Sequence, residues 1–171
     1  MALIVESWPL VSGAESFCTV AQFDLYWTNR NDSTTVAATT AAKESALRQA
    51  TAFLEQNFKW MGERNSVTQA LAWPRILPYG LDADRKSVTS TEIPKAITDA
   101  TCELAKEALA GLLAPSVARG GQVQSQSVGP ISVTYAPGAS TAKKYQLVEL
   151  LVKNLLCGGG SNSISGTVRM S

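Results

Sequence analysis

The sequence predicts a mainly α-helical fold: a small helical bundle with a β-hairpin insertion and an extended C-terminal tail. Three observations predict it. Two long segments, Ala41 to Phe58 and Pro94 to Leu112, repeat apolar residues at helical spacing, whereas Gln122 to Tyr135 alternates apolar and polar residues. Everything after Leu156 is dominated by Gly and Ser. The expected organisation is one helical domain over residues 1–157, with the hairpin at about 121–136, followed by a Gly/Ser-rich tail over 158–171.

In chain order, "TVAQFDLYW" opens with a capping-box pattern, Thr19 with Gln22 three residues on, and predicts a short helix to about Asn29. "NRNDSTTV" is polar turn material. In the next helix Leu47, Ala50, Leu54 and Phe58 fall on one face, and Lys43, Glu44, Arg48 and Glu55 are expected in water. Gly62 to Thr91 has no sustained period and holds Pro74, Pro78 and Gly80, so it reads as a long ordered loop. Pro94 suits the first turn of a second long helix with Ile97, Ala100, Thr101, Leu104, Ala105, Ala108 and Leu112 inward, ending before Pro115. Ile131, Val133 and Tyr135 alternate with Ser132 and Thr134, and Gly129-Pro130 joins this strand to a more polar one at Gln122 to Val128. Lys143 to Leu156 returns to helix, with Leu147, Val148, Leu151 and Leu155 on one side. The triple glycine that follows suits a helix cap and hinge, and Ile164, Val168 and Met170 form a sparse apolar series suited to lying extended on another chain.

Of the 171 residues, 45% are apolar and only 17% charged, below the share of about 25% usual in soluble domains. Net charge is +1, but residues 1–109 hold 10 Lys/Arg against 13 Asp/Glu, and residues 110–171 hold five against one. That is a weak form of the concentrated basic face that phosphate binding favours. "MALIVESWPL" has no basic start and is interrupted by Glu6, so a signal peptide is not expected and the chain is placed in a cytoplasm. No segment suits a membrane span. Cys18, Cys102 and Cys157 are far apart and odd in number, and read as free thiols.

The absence of histidine removes Ser-His-Asp and Cys-His nucleophiles, HExxH and imidazole metal ligands. Asp82 with Asp84 lies in a charge run, and Glu103 with Glu107 is a polar helix face. "ARGGQ" and "CGGGS" have neither P-loop nor dinucleotide-binding spacing. No enzyme, catalytic residue, metal or cofactor is expected. Trp27 near Arg30, Trp60 near Lys59 and Arg64, and Trp73 beside Arg75 offer aromatic and cationic neighbours of the kind that stack single-stranded nucleic acid, although core packing explains at least two of the tryptophans better. Pro74 restricts Trp73 to extended backbone, which suits an anchor pinning the loop on the long helices, with Arg75 directed outward or onto a carboxylate.

"GAESFCTVAQFDLYW", "ALRQATAFLEQNFKWMGER", "QALAWPR", "IPKAITDATCELAKEALAG" and "SVGPISVTYAPG" together resemble, in the same order, the tailed-phage head-to-tail adaptor family. Many members of that family carry a DnaT-like single-stranded-DNA-binding label. The resemblance implies a structural virion protein of the neck, made in the host cytoplasm. It would form a homo-oligomeric ring of about 12 copies that joins the portal to a tail or stopper protein and extends the DNA channel, with non-specific contact to packaged DNA. Exposed strand edges and rotational symmetry then nominate Trp73, Arg75, Gln124 and Gln126 as subunit contacts, and the tail residues Ile164, Val168, Arg169 and Met170 as a docking segment. The alternative is that the label is literal, a single-stranded-DNA-binding replication accessory that uses Trp and Arg stacking. The acidic first 109 residues weigh against it.

Overall fold

The structure, a computed structural model, describes residues 2–113 and 144–158, and the backbone of 125–128 and 131–134. It is mainly helical, and divides into two units, Met1–Leu113 with Tyr145–Ser171, and Ala114–Lys144. The first unit carries α1 (Val20–Thr28), α2 (Ser33–Val36), α3 (Thr40–Asn57), α4 (Lys95–Ala110) and α5 (Gln146–Val152). It also has a two-stranded ladder of β1 (Glu63–Arg64) and β2 (Arg75–Ile76). In the second unit β3 (Ser125–Val128) pairs antiparallel with β4 (Ile131–Thr134), in the register Ser125 to Thr134 and Val128 to Ile131. That is the hairpin expected at this position. Among the described residues no helix is long and apolar enough to cross a membrane.

α1 starts as its capping box dictates. The Thr19 hydroxyl accepts from the Gln22 N–H at 3.0 Å, and the Gln22 side chain accepts from the Thr19 N–H at 2.8 Å. The polar segment after it is more than a turn, because Asp32 caps a single helical turn, α2, by accepting from the Thr35 N–H at 3.0 Å. The principal helix pair is α3 against α4; α5 packs on α4, and α1 on α3 and α4. Leu47, Ala50 and Leu54 of α3 face Ile97, Ala100, Leu104 and Ala105 of α4 in one core, all fully or nearly fully buried.

Three expectations about these helices need correction. Lys43 is buried rather than solvated: its ammonium pairs with Asp24 at 2.6 Å and donates to the Val36 carbonyl at 2.6 Å, so α1 and the end of α2 close over it. Leu112, expected inward, lies beyond the end of α4 at Ala110 and its cap Gly111, and is exposed. On α5 the buried residues are Val148 and Val152, followed by Leu155 in the next 3-10 turn, while Leu147 points to solvent. The helix is only seven residues long and apolar on most sides, so sequence spacing alone could not choose its inner face.

Asp32 also links α2 to α4, through an ion pair with Lys106 at 2.7 Å. The Lys106 ammonium and the Thr35 N–H hold its carboxyl down to about 2, from an ordinary value of 3.8. A pKa lowered by folding stabilises the folded state above the ordinary value, and that contribution is lost as the pH falls through the folded one. Asp32→Asn should therefore flatten the loss of thermal stability between pH 3.8 and about 2 relative to the parent chain, as followed by circular dichroism melts.

The long loop holds the short β1–β2 ladder, and side-chain bonds to its backbone order the stretch between the two strands. Gly62 adopts φ +76°, and a Cβ there would stand 2.2 Å from the Ile76 carbonyl oxygen, so the β1–β2 ladder requires glycine. Gly62→Ala should lower unfolding free energy by about 1–3 kcal/mol in urea denaturation. Beyond α5, Trp60 bridges antiparallel to Leu156, and the Met61 N–H donates to the Leu155 carbonyl at 2.9 Å. The chain after α3 is thereby tied to the chain after α5.

Candidate nucleic-acid interface

The tryptophans divide sharply. Trp27, Trp60 and Trp73 are buried, and only Trp8, at 53% exposure, presents its ring to solvent. Trp73 is wholly inside, edge-on to Trp60 with centroids 5.8 Å apart. The loop around it is held by its own polar groups. Buried Gln69 donates to the Leu71 and Pro74 carbonyls at 2.7 and 3.0 Å, and Glu55 of α3 accepts from the Ala72 N–H at 2.7 Å. Arg75 meets carbonyls rather than a carboxylate, donating to Met61, Gly62 and Ala72 at 2.9, 2.5 and 3.3 Å. The QALAWPR stretch is a loop anchor, and its aromatic ring is unavailable for stacking.

Of the other residues nominated as contacts, Gln126 lies in β3 opposite Val133. Gln124, Ile164, Val168, Arg169 and Met170 lie outside the described residues, as does the tail after Gly158.

The feature with binding geometry lies elsewhere, between α1 and the first half of α4. A cleft of about 310 Å³, at the small end of ligand pockets, is bordered by Gln22, Leu25, Tyr26, Asn29 and Arg30 on one side. Lys95, Thr98, Asp99 and Cys102 border the other, with Cys18. The helical period explains the first wall: Gln22, Leu25/Tyr26 and Asn29/Arg30 recur every three or four residues and share one face. Leu25 on that wall is 61% exposed.

Arg30 is the centre of this wall. Its guanidinium carbon lies 3.4 Å from the Tyr26 ring centroid, and Nη1 donates to the Tyr26 carbonyl at 3.1 Å, one of the acceptors that the end of α1 leaves open. The phenol below is fixed in turn, because its hydroxyl donates to Glu103 of α4 at 2.6 Å. Burial, then that carboxylate, pushes the Tyr26 pKa well above its ordinary value, so the phenol stays a neutral donor. Arg30 is exposed, so a planar cation is held over an aromatic ring with its surroundings open to solvent.

Charge in the cleft nearly cancels. Lys95 pairs with Asp99 at 2.5 Å, and among the described residues Arg30 has no carboxylate partner. Such a site suits a planar, largely uncharged group better than a run of phosphates, with the Gln22 and Asn29 amides at hand for polar edges. Tyr26 and Arg30 carried a readable signal, an aromatic and a cation at i and i+4. The pairing of Arg30 with Trp27 hides it: Trp27 is buried, and Lys106 rather than Arg30 lies over its ring, at 4.4 Å. Lys95 and Asp99 join the site only because α4 packs beside α1.

A family model described as "Putative DnaT-like ssDNA binding protein" matches residues 1–170. No curated protein and no solved structure matches the chain. The match overturns the expectation of a virion neck adaptor with portal and stopper partners, because the family covering the chain is described by single-stranded DNA binding. The physical reason for the misreading lies in the segments that carried it. "LAWPR" and "IPKAITDATCELA" supply Leu71, Ala72, Trp73, Ile97, Ala100, Leu104 and Ala105 to the core, so their likeness reports a way of packing and not a partner.

Proposed function

From the premise that the chain belongs to the DnaT-like single-stranded-DNA-binding family, we propose that it binds single-stranded DNA, as a binding protein rather than an enzyme, and takes an unpaired base at the α1–α4 cleft. The observation that carries the site is the Arg30 guanidinium lying on Tyr26, 3.4 Å from the ring centroid. A base stacks on the exposed side of such a plane regardless of its identity, and the Gln22 and Asn29 amides offer it donors and acceptors. The near-neutral cleft supports a stacking mode in which phosphates contribute little.

This mode has a salt signature. With Lys95 paired to Asp99 and Arg30 as the cation of the cleft left for a phosphate, log K should fall against log salt with a slope of about −0.7, at about 0.7 per phosphate for single strands. A titration of labelled oligothymidylate by fluorescence anisotropy, repeated over a salt series and with a duplex competitor, measures it. The expected result is saturable binding with a shallow slope and preference for the single strand. No saturation at micromolar protein, or duplex binding as tight as single-strand binding, would sink the proposal.

A further inference from the structure

Cys18 and Cys102 are 84 positions apart in sequence, yet their sulfurs stand 3.4 Å apart. Cys18 immediately precedes the cap of α1, and Cys102 lies on α4, so the contact exists only because the two helices pack. Both residues are buried, at 0% and 2% exposure, and both line the cleft. The Cys18 backbone is held by Ser16, whose hydroxyl accepts from the Cys18 N–H at 3.1 Å and donates to its carbonyl at 2.8 Å. Cys157, the third thiol, is exposed.

We propose that Cys18 and Cys102 are a reversible oxidation site, a dithiol that a small peroxide entering through the cleft converts to an intramolecular disulfide. The sulfurs need to close from 3.4 Å to about 2.05 Å. In the first step one sulfur attacks the O–O bond of hydrogen peroxide, becomes a sulfenic acid and releases one water. In the second, the other sulfur displaces the sulfenic hydroxyl, which leaves with that thiol's proton as a second water. Two thiols and one peroxide give one disulfide and two waters; the sulfurs lose two electrons and the peroxide gains them. The hydrogen bond with Cys18, then burial, with Asp99 and Glu103 adding negative charge, holds the Cys102 thiol protonated.

This inference does not depend on DNA binding, and it is tested on the full chain carrying Cys157→Ser, which removes the exposed thiol. Folded protein is treated with hydrogen peroxide, quenched, and examined by thiol titration in denaturant and non-reducing peptide mass spectrometry. The expected result is loss of both remaining thiols, one Cys18–Cys102 linked peptide, no covalent dimer, and full reversal by dithiothreitol. In Cys102→Ala or Cys102→Ser on the same background, a sulfenic acid at Cys18 should be trapped by dimedone. The proposal is overturned if the folded chain keeps both thiols at peroxide levels that oxidise it in urea. Sulfinic acid without a linked peptide, or linkage only between chains, overturns it equally.

Discussion

Trp73→Ala should lower the unfolding free energy by about 3–5 kcal/mol, a large part of what holds a domain of this size together. The indole is wholly buried and edge-on to Trp60, and it is fastened by a loop whose other side chains bond the backbone around it. Truncation would leave a cavity that this frame is poorly able to collapse. With a urea dependence of about 2 kcal/mol per molar, the midpoint should move down by roughly 2 M. Trp73→Phe should cost clearly less, because among the described residues the Trp73 Nε1 has no hydrogen-bond acceptor and phenylalanine abandons no bond. Equal midpoints for Trp73→Ala and the parent chain would contradict the anchor role.

Arg30→Ala should reduce affinity for single-stranded DNA by roughly 5- to 150-fold, the value of about 1–3 kcal/mol for one stacked base. Its effect on stability should stay below about 1 kcal/mol, since the side chain is exposed and gives up one cation–π contact and one carbonyl bond. Arg30→Lys separates stacking from charge. It keeps the cation and therefore the salt slope, yet an ammonium presents no plane to a base, so most of the affinity should still be lost. Full affinity in Arg30→Lys would mean that charge, not stacking, binds the DNA. Unchanged affinity in Arg30→Ala would move the site away from this cleft while leaving open-face aromatics such as Tyr79, which is 98% exposed, as places to test.

Much of the helical frame was legible because its determinants are local. Thr19 and Gln22 cap α1 through bonds that span three residues, and the apolar period of α3 and α4 selects Leu47, Leu54, Ile97 and Leu104 for burial whatever they pack against. The candidate site was legible only in part. Tyr26 and Arg30 lie one turn apart on α1, but nothing local distinguishes the ring that the guanidinium covers, Tyr26, from its buried neighbour Trp27. The order of core-forming segments also invited a functional analogy to a neck adaptor that the family match corrects, since packing residues are shared by chains with different partners.

The sequence by itself determined where α1, α3 and α4 begin, the main buried face of α3 and α4, that a hairpin follows them, and that histidine chemistry is absent. Tertiary structure alone decided that Lys43 is drawn inside by Asp24 and the Val36 carbonyl, and that Arg75 serves carbonyls of its own loop. It also decided that Lys95 and Asp99 face Arg30 across a cleft and that Cys18 meets Cys102. The reason is one of range. Capping and periodicity act over three or four residues, whereas a buried charge, a cleft wall and a thiol pair each require partners brought together by the packing of different helices.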